Sequence, residues 1–233
     1  MSQPRVTVEM VSFKMIDYRL HVFLQQSDDA EDIWCLPSIG IDPDIDKNLE
    51  GALRRGMQSV VGATPLYFEQ IKTIGNATRY PDQWLIAVVY MGLFSASCEI
   101  FSDAHGQWYS CDTLETKIRL AFDHQGVVNS CVKQLRQKAR FTSLPLHLAP
   151  AEFSLSDAQR LYESLLSAQL EKKSFRRRLL DANIILPLDK VRRTHSRPAK
   201  LYALPPGHIV HHFRRNMIGR NREATDDNNI DTT

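Results

Sequence analysis

The chain has 233 residues, of which 43% are hydrophobic and 24% charged, a composition typical of a globular protein with a sizeable core. No run approaches roughly 18 consecutive apolar residues and no basic segment precedes an apolar block, so we expect neither a membrane span nor a secretory signal. Cys35, Cys98, Cys111 and Cys131 form no CxxC pair, which indicates reduced thiols in the cytoplasm rather than a disulfide or zinc framework.

The net charge of +2 is unevenly distributed along the chain. Residues 1–145 carry 14 Lys and Arg against 17 Asp and Glu, whereas residues 146–222 carry 15 against 6. The basic excess of the second part indicates an anionic polymer as its partner. A cationic face in contact with solvent would give the same count, so charge alone leaves both interpretations open.

The first part of the chain predicts a sheet with helices packed on it. Residues 5–24 alternate in short apolar runs and predict a β-hairpin, and the continuous apolar run at 85–94 predicts a strand buried on both faces. Residues 49–62 predict a helix, because apolar residues recur at helical spacing and Gly62 stands at a C-cap position. The remaining predicted elements are strands at 67–76 and 106–110 and a helix at 125–141.

The second part predicts two helices followed by two short strands around a basic turn. Two prolines and little periodicity at 142–153 indicate the domain junction. Ser156 and Gln159 have capping-box spacing at the start of the first helix, and a second helix covers 171–185. The buried stripe of the first helix is predicted to be Ala158, Leu161, Tyr162 and Leu165. The predicted divisions are a domain at 1–145, a domain at 146–206, and a polar, largely disordered tail at 207–233.

Helix, short turn, basic helix and basic hairpin form the plan of a winged helix-turn-helix. On the second helix Phe175, Leu179 and Ala182 follow one side, and Arg178 lies on the flank of that side. Lys173, Arg176 and Arg177 point the other way. Such a helix can enter a major groove, and a basic wing suits phosphate or minor-groove contact. A helical hairpin with a solvated cationic surface is the alternative. The predicted DNA-binding residues are Lys172, Lys173, Ser174, Arg176, Arg177, Arg192, Arg193, His195, Arg197 and Lys200.

Three histidines, His208, His211 and His212, follow the predicted wing. A metal site is one interpretation of such a cluster. Solvent exposure near a loose tail is the other, and we favour it.

The segment "WCLPSIGIDPDIDKNLEGALRRGMQSVVGA", residues 34–63, resembles the Nudix box. In that motif, glutamates on one helix hold magnesium, which neutralises a pyrophosphate and activates water. Arg55 and Gly62 match the motif. The glutamate positions are occupied by Lys47, Gly56, Ser59 and Val60. We therefore expect no catalytic residues and no metal on this helix.

A Nudix-like domain followed by a winged helix resembles the Nudix-related transcriptional regulators of the NrtR type. The segments "IGNATRYPDQW", "LAFDH", "EKKSFRRRLLDANII" and "RTHSRPAKLYAL" carry this resemblance, which covers roughly residues 6–204. Ser196 departs from the usual glycine of the wing, and Tyr80 interrupts a usually acidic segment. The resemblance implies an α+β protein with a Nudix-like α/β/α sandwich and a C-terminal winged helix. It also implies a homodimeric, operator-binding regulator, usually a repressor of NAD metabolism genes, whose effector is ADP-ribose or a related nucleotide.

The resemblance implies a nucleotide pocket in the first domain, with no resident cofactor. An arginine there can clamp a phosphate, an aromatic ring can stack on a base, and Asp or His can hold ribose hydroxyls. The alternatives are that Phe122 belongs to the core and that Asp123 and His124 cap the following helix. The candidate ligand-binding residues are Arg55, Arg79, Phe122, Asp123 and His124.

Three functional hypotheses remain open from the sequence. The first is a ligand-responsive transcription factor that binds double-stranded DNA. The second is a Nudix-type nucleoside-diphosphate hydrolase with atypical metal ligands, and the missing glutamates disfavour it. The third is a DNA-binding protein whose Nudix-like domain serves only dimerisation.

Overall fold

The computed structural model of the chain describes residues 4–27, 32–76, 79, 84–99, 106–193 and 198–219. Contacts divide the chain into two compact units, Met1–Lys133 and Gln134–Thr233. The sequence analysis places the junction later, in the proline-containing segment at 142–153. That segment is no linker, because its Leu144–Leu148 stretch forms a 3-10 helix whose five residues are all buried. In the part of the chain that the structure describes, no helix is long and apolar enough to cross a membrane.

Unit 1 is built on a mixed eight-stranded sheet. Its strands are β1 (Arg5–Ile16), β2 (Arg19–Gln26), β3 (Ile33–Cys35), β4 (Ser38–Gly40), β5 (Tyr67–Asn76), β6 (Leu85–Phe94), β7 (Gly106–Ser110) and β8 (Arg119–Leu120). The helices that begin in this unit are α1 (Leu49–Val60), α2 (Leu114–Lys117) and α3 (His124–Ala139).

The centre of the sheet is the pair of strands β1 and β6, which run parallel. β1 also forms the predicted hairpin with β2, and the strand order along the sheet is β5-β6-β1-β2-β3-β8. β4 pairs with β1, and β7 pairs with β2. β6 is buried along nearly its whole length, as its continuous apolar sequence predicts.

Helices flank both faces of this sheet, which confirms the α/β/α architecture. Val8 and Met10 on β1 pack in one cluster with Leu53 and Met57 of α1. Successive side chains of a strand point to opposite faces, so Glu9 faces away from α1. The start of α3 lies on that second face, where the His124 ring approaches Glu9. Gly62 follows α1 with φ of 72°, the left-handed conformation that a C-cap glycine adopts.

Unit 2 contains a winged helix, which confirms the fold predicted for the second domain. Its elements are β9 (Phe153–Ser154), α4 (Leu155–Leu166), α5 (Lys172–Asp181), β10 (Leu186–Arg192) and β11 (Ala199–Ala203). The strands form an antiparallel sheet in the order β10-β11-β9. The predicted apolar stripe of α4 is buried. The centroids of the Tyr162 ring on α4 and the Phe175 ring on α5 lie 5.3 Å apart.

The capping box of α4 lies two residues before the predicted position. Ser154 and Asp157 exchange the two capping hydrogen bonds, at 3.1 and 2.8 Å. Ser156 is instead exposed, and its hydroxyl accepts a hydrogen bond from Arg176. The prediction was wrong because serine recurs at both positions and an Asp, like a Glu or Gln, can close the box from the third helical position.

Residues 207–219 are a packed part of unit 2, contrary to the predicted disorder of the tail. Phe213 and Met217 are buried, and His212 forms a β-bridge with Thr142. Two buried apolar side chains in a polar segment are enough to hold it against the unit. Residues 220–233 lie outside the described part of the chain.

Candidate functional sites

A buried ion-pair cluster lies at the centre of unit 1. Glu9 is fully buried in the middle of β1, and its Oε2 accepts a hydrogen bond from Arg79 at 2.7 Å. The same guanidinium donates through Nε to Asp123 at 2.8 Å. The Arg79 side chain is almost fully buried, whereas the Asp123 side chain is 44% exposed. One arginine therefore joins a buried carboxylate to one that solvent can reach.

The cluster fixes its charges strongly. Burial alone would raise the pKa of Glu9, but His124 and Arg79 outweigh burial and lower it to about 2. Burial likewise opposes the charged form of Arg79, but Glu9 and Asp123 outweigh it and raise the pKa of the guanidinium. Both groups are consequently charged throughout the physiological pH range.

His124 connects this cluster to the segment that precedes the Nudix-like loop. Its Nδ1 accepts a hydrogen bond from the Leu36 backbone N–H at 3.0 Å, so Nε2 carries the ring proton. Nε2 lies 3.9 Å from Glu9 Oε1, beyond hydrogen-bond length. The ring is buried, so only a rearrangement would let a ligand reach it.

Phe122 stands out beside the cluster because its backbone has φ of 51° and its side chain is 49% exposed. A left-handed backbone costs a bulky residue about 1 kcal/mol or more. The ring packs edge-on against His124, at 5.5 Å between centroids. It is therefore not a core residue, and its exposed face is able to stack on a planar ligand.

Arg55, the fifth candidate ligand residue, is bound within the Nudix-like loop. Its Nε donates to Asp46 at 2.9 Å, and NH2 donates to the Gly40 carbonyl at 3.0 Å. Hydrogen bonds from Arg55 and from the Asp42 backbone lower the pKa of Asp46 to about 2. In this conformation Arg55 closes the loop, while the four other candidates lie together around Glu9.

Gly56 occupies a buried position of α1 where the Nudix box has a glutamate, and a side chain there would require its neighbours to shift. A Cβ on Gly56 would lie 3.0 Å from Ile39 Cγ2 and 3.1 Å from Met10 Sδ. Ser59 is exposed and Val60 half-buried, and neither carries a carboxylate. Among the residues that the structure describes, no three His, Cys, Asp or Glu side chains gather in a way that could hold a metal ion.

Glu9 is a residue of this site that was not predicted from the sequence. A single acidic residue inside the apolar strand "VTVEMVSF" is the signal that could have identified it, because a buried carboxylate requires a partner. The partner lies 70 residues later, so the pairing itself was not readable from spacing.

The second site is the basic surface of the winged helix. Lys172, Lys173 and Arg177 are exposed on α5, whereas Phe175 and Leu179 are buried. Glu171 caps the helix by accepting from the backbone N–H groups of Lys173 and Ser174, and these bonds lower its pKa. The helix thus presents its cations to solvent, as the sequence predicts.

Several predicted DNA-binding residues lie together in the structure, and one is paired with a carboxylate of the same unit. Lys172, Arg176 and Lys200 line one cleft between α4, α5 and β11. Arg192 is instead paired with Asp157 at 2.9 Å, which ties β10 to the start of α4. Arg193 is exposed, and His195 and Arg197 lie outside the described residues.

The three histidines after the wing are bound within unit 2. His208 Nε2 lies 2.9 Å from the Ser143 hydroxyl, and the His211 backbone N–H donates to the same oxygen at 2.8 Å. Burial of His208 lowers its pKa, as do the nearby His147 and His211. His208 and His211 are half-buried, which differs from the expected exposure, and His212 is exposed.

Comparisons with known proteins match both units. The family model described as the NrtR DNA-binding winged helix domain matches residues 145–204. An ADPR-responsive transcriptional repressor, NtrR, of Acinetobacter baylyi is 33% identical over 204 residues, covering 85% of this chain and 81% of its own. The structure of Shewanella oneidensis NrtR complexed with a 27mer DNA superposes with a TM-score of 0.83 at 32% identity, covering 91% of this chain and 98% of that one. The Nudix domain of the same protein, complexed with ADP-ribose, matches with a TM-score of 0.50 at 28% identity, covering 58% of this chain and 90% of that one. The chain belongs to the NrtR family of Nudix-related transcriptional regulators.

Proposed function

We propose that the protein is a ligand-responsive transcriptional repressor that binds operator DNA through unit 2 and senses ADP-ribose or a related nucleotide through unit 1. The observation that carries the proposal is the exposed row of cations on α5, within a winged helix that follows a Nudix-like unit whose helix has no glutamate at positions 56, 59 and 60. The relatives that bind DNA, or that are named as responsive to ADP-ribose, support it. Control of NAD metabolism genes follows from the resemblance to the family.

DNA binding follows from the charge and position of α5. A recognition helix lies in the major groove, where Arg and Lys contact guanine edges, and the wing reaches the backbone or the minor groove. Lys172 of α5 and Lys200 of β11 line one cleft, and we expect their ammonium groups to contact phosphates. Binding to operator DNA requires access to the chromosome, which agrees with the cytoplasmic location expected from the sequence.

The experiment for this activity is selection of DNA from a random pool by the full chain, followed by titration at several salt concentrations. We expect enrichment of one two-fold symmetric sequence and binding that weakens steeply with salt. Failure to retain any duplex DNA at low salt would contradict the proposal.

The nucleotide site is proposed around the cluster of Arg79, Phe122, Asp123 and His124. Phe122 offers its exposed face for stacking on a base, and Asp123 has a solvent-accessible carboxylate that can accept from ribose hydroxyls. Arg79 is already paired with two carboxylates, so a phosphate would have to compete with Asp123 for it. Ligand binding is thereby linked to the ion pair that joins Asp123 to β1.

A thermal-shift screen of nucleotides tests this site. We expect ADP-ribose to stabilise the parent protein and to stabilise Phe122→Ala much less. Phe141→Ala, which removes a comparably exposed ring from unit 2, is the matched control and should respond like the parent. An equal ADP-ribose shift in Phe122→Ala and the parent would exclude Phe122 from the site.

A further inference from the structure

The segment after the wing, residues 205–219, is an ordered part of unit 2 and lies beyond the stretch that the winged helix family model matches. We call it the post-wing segment. The Phe213 backbone N–H donates to the Phe141 carbonyl and the Met217 N–H to the Arg140 carbonyl at 2.8 Å. The side chains of Phe213 and Met217 are buried. Backbone bonds and burial together fix the course of this segment.

The post-wing segment is also attached to α5. Arg178 NH1 donates to the Asn216 carbonyl at 2.8 Å and to the Arg215 carbonyl at 3.2 Å. These bonds hold Arg214 and Arg215 beside the proposed recognition helix. Arg177 and Arg178 of α5 line the same cleft as Arg214 and Arg215, with Asp181 as the carboxylate at its edge.

The two arginines of this segment extend the cationic surface of α5. Arg214 and Arg215 are both exposed. Among the residues that the structure describes, no carboxylate lies within 4.0 Å of either guanidinium. Four arginines around one cleft with a single Asp make a strongly positive surface. Burial lowers the pKa of Arg178, and the nearby Arg215 and Arg177 lower it further. Such a surface attracts a polyanion.

We propose that the post-wing segment is a second DNA-contacting element, in which Arg214 and Arg215 bind the phosphate backbone beside the groove that α5 occupies. The inference rests on the proposed DNA binding of unit 2. A helix inserted in the major groove is flanked by two phosphate backbones, so cations held beside it meet phosphates rather than base edges. The segment should therefore contribute affinity and little sequence preference.

The test compares full-length variants on a selected operator and on a scrambled duplex, each at several salt concentrations. We expect Arg214→Ala/Arg215→Ala to weaken binding to both duplexes about tenfold or more, and to reduce the slope of log affinity against log salt by about 1 for each phosphate that is no longer bound. Arg214→Lys/Arg215→Lys retains the charges and should retain most of the slope. Arg136→Ala removes an exposed arginine of α3 that does not line the cleft, and it should bind like the parent.

Several outcomes would overturn the inference. One is an alanine variant with the affinity and salt slope of the parent. Another is weaker binding with an unchanged slope and a lowered melting temperature, which would show that the segment acts through stability. Weaker binding to the operator with unchanged binding to the scrambled duplex would show that the segment contacts bases instead of phosphates. If the parent itself binds no duplex, the proposed function fails, a result distinguishable from failure of this inference alone.

Discussion

At the scale of single residues, Glu9 and Arg79 form a buried ion pair in unit 1. Both side chains are almost completely removed from water, so each depends on the other for its solvation. Removing Arg79 would leave the Glu9 carboxylate uncompensated inside the sheet unit, and removing Glu9 would leave the buried guanidinium with Asp123 as its remaining carboxylate partner. Because Arg79 also holds Asp123, the pair fixes the position of the loop that carries Phe122 and Asp123.

We predict that Glu9→Gln lowers the free energy of unfolding by about 3 kcal/mol at pH 7, because it leaves Arg79 charged and buried. The pKa of Glu9 in the folded state, about 2, lies below its ordinary value of 4.5. The stabilisation is therefore complete above about pH 4.5 and is lost as the pH falls towards 2. The difference between parent and variant should shrink over that interval in urea titrations.

The control for this substitution is Glu50→Gln, which removes an exposed carboxylate from the first turn of α1. It should change stability by no more than about 0.5 kcal/mol. Equal stability of Glu9→Gln and the parent at pH 7 would contradict the role assigned to the pair.

A second prediction at this scale separates base contacts from phosphate contacts in the winged helix. Arg177→Ala should cost about 1–3 kcal/mol on the operator and relax sequence preference, because Arg177 is exposed on the proposed recognition helix. Arg193→Ala, in the wing, should weaken all duplexes alike and lower the salt slope by about 1. Titration of operator and scrambled DNA measures both. If both variants bind both DNAs like the parent, α5 and the wing do not form the DNA interface.

At the scale of secondary-structure elements, helix α1 retains a buried apolar face but has no glutamate at positions 56, 59 and 60. Ala52, Leu53 and Met57 pack in the core, and the acidic positions of the motif carry no carboxylate that could hold magnesium. We predict no hydrolysis of ADP-ribose or other nucleoside diphosphates with magnesium or manganese, measured by chromatography of the products. Metal-dependent turnover on the order of 1 per second or faster would show that other ligands support catalysis.

Local periodicity made most elements of the fold predictable from the sequence. The hairpin of β1 and β2, the buried β6 and the buried stripe of α4 each follow from the pattern of apolar residues along the strands or helix concerned. The predicted junction and the contact division at Lys133 and Gln134 differ, because the proline-containing segment forms a buried 3-10 helix rather than a linker. The ordered post-wing segment could not be predicted, because its position depends on contacts of Phe213 and Met217 with residues more than 70 positions earlier in the sequence.

The candidate sites were predictable only in part, for a related reason. Exposed cations on α5 follow from helical spacing alone. Arg79 and Arg192 were expected to face a ligand and DNA, yet each is bound to a carboxylate far away in the sequence. Residue type and spacing show which groups can bind a phosphate, but not which of them are already paired within the fold.

At the scale of the whole molecule, we predict a homodimer that occupies two half-sites of a symmetric operator. One winged helix contacts few base pairs, and two-fold symmetry doubles the site. Analytical ultracentrifugation at micromolar concentration, with and without operator, measures the assembly. A monomer that protects a single asymmetric half-site would contradict this prediction.

A ligand-responsive repressor requires coupling between its nucleotide site and its DNA site. The most direct measurement is a pair of titrations, operator into protein with and without saturating ADP-ribose, and ADP-ribose into protein with and without operator. Coupled binding sites influence each other equally, so ADP-ribose should change operator affinity, and operator should change ADP-ribose affinity, by one common factor of about 5 to 150. ADP-ribose that binds without changing operator affinity would contradict the account.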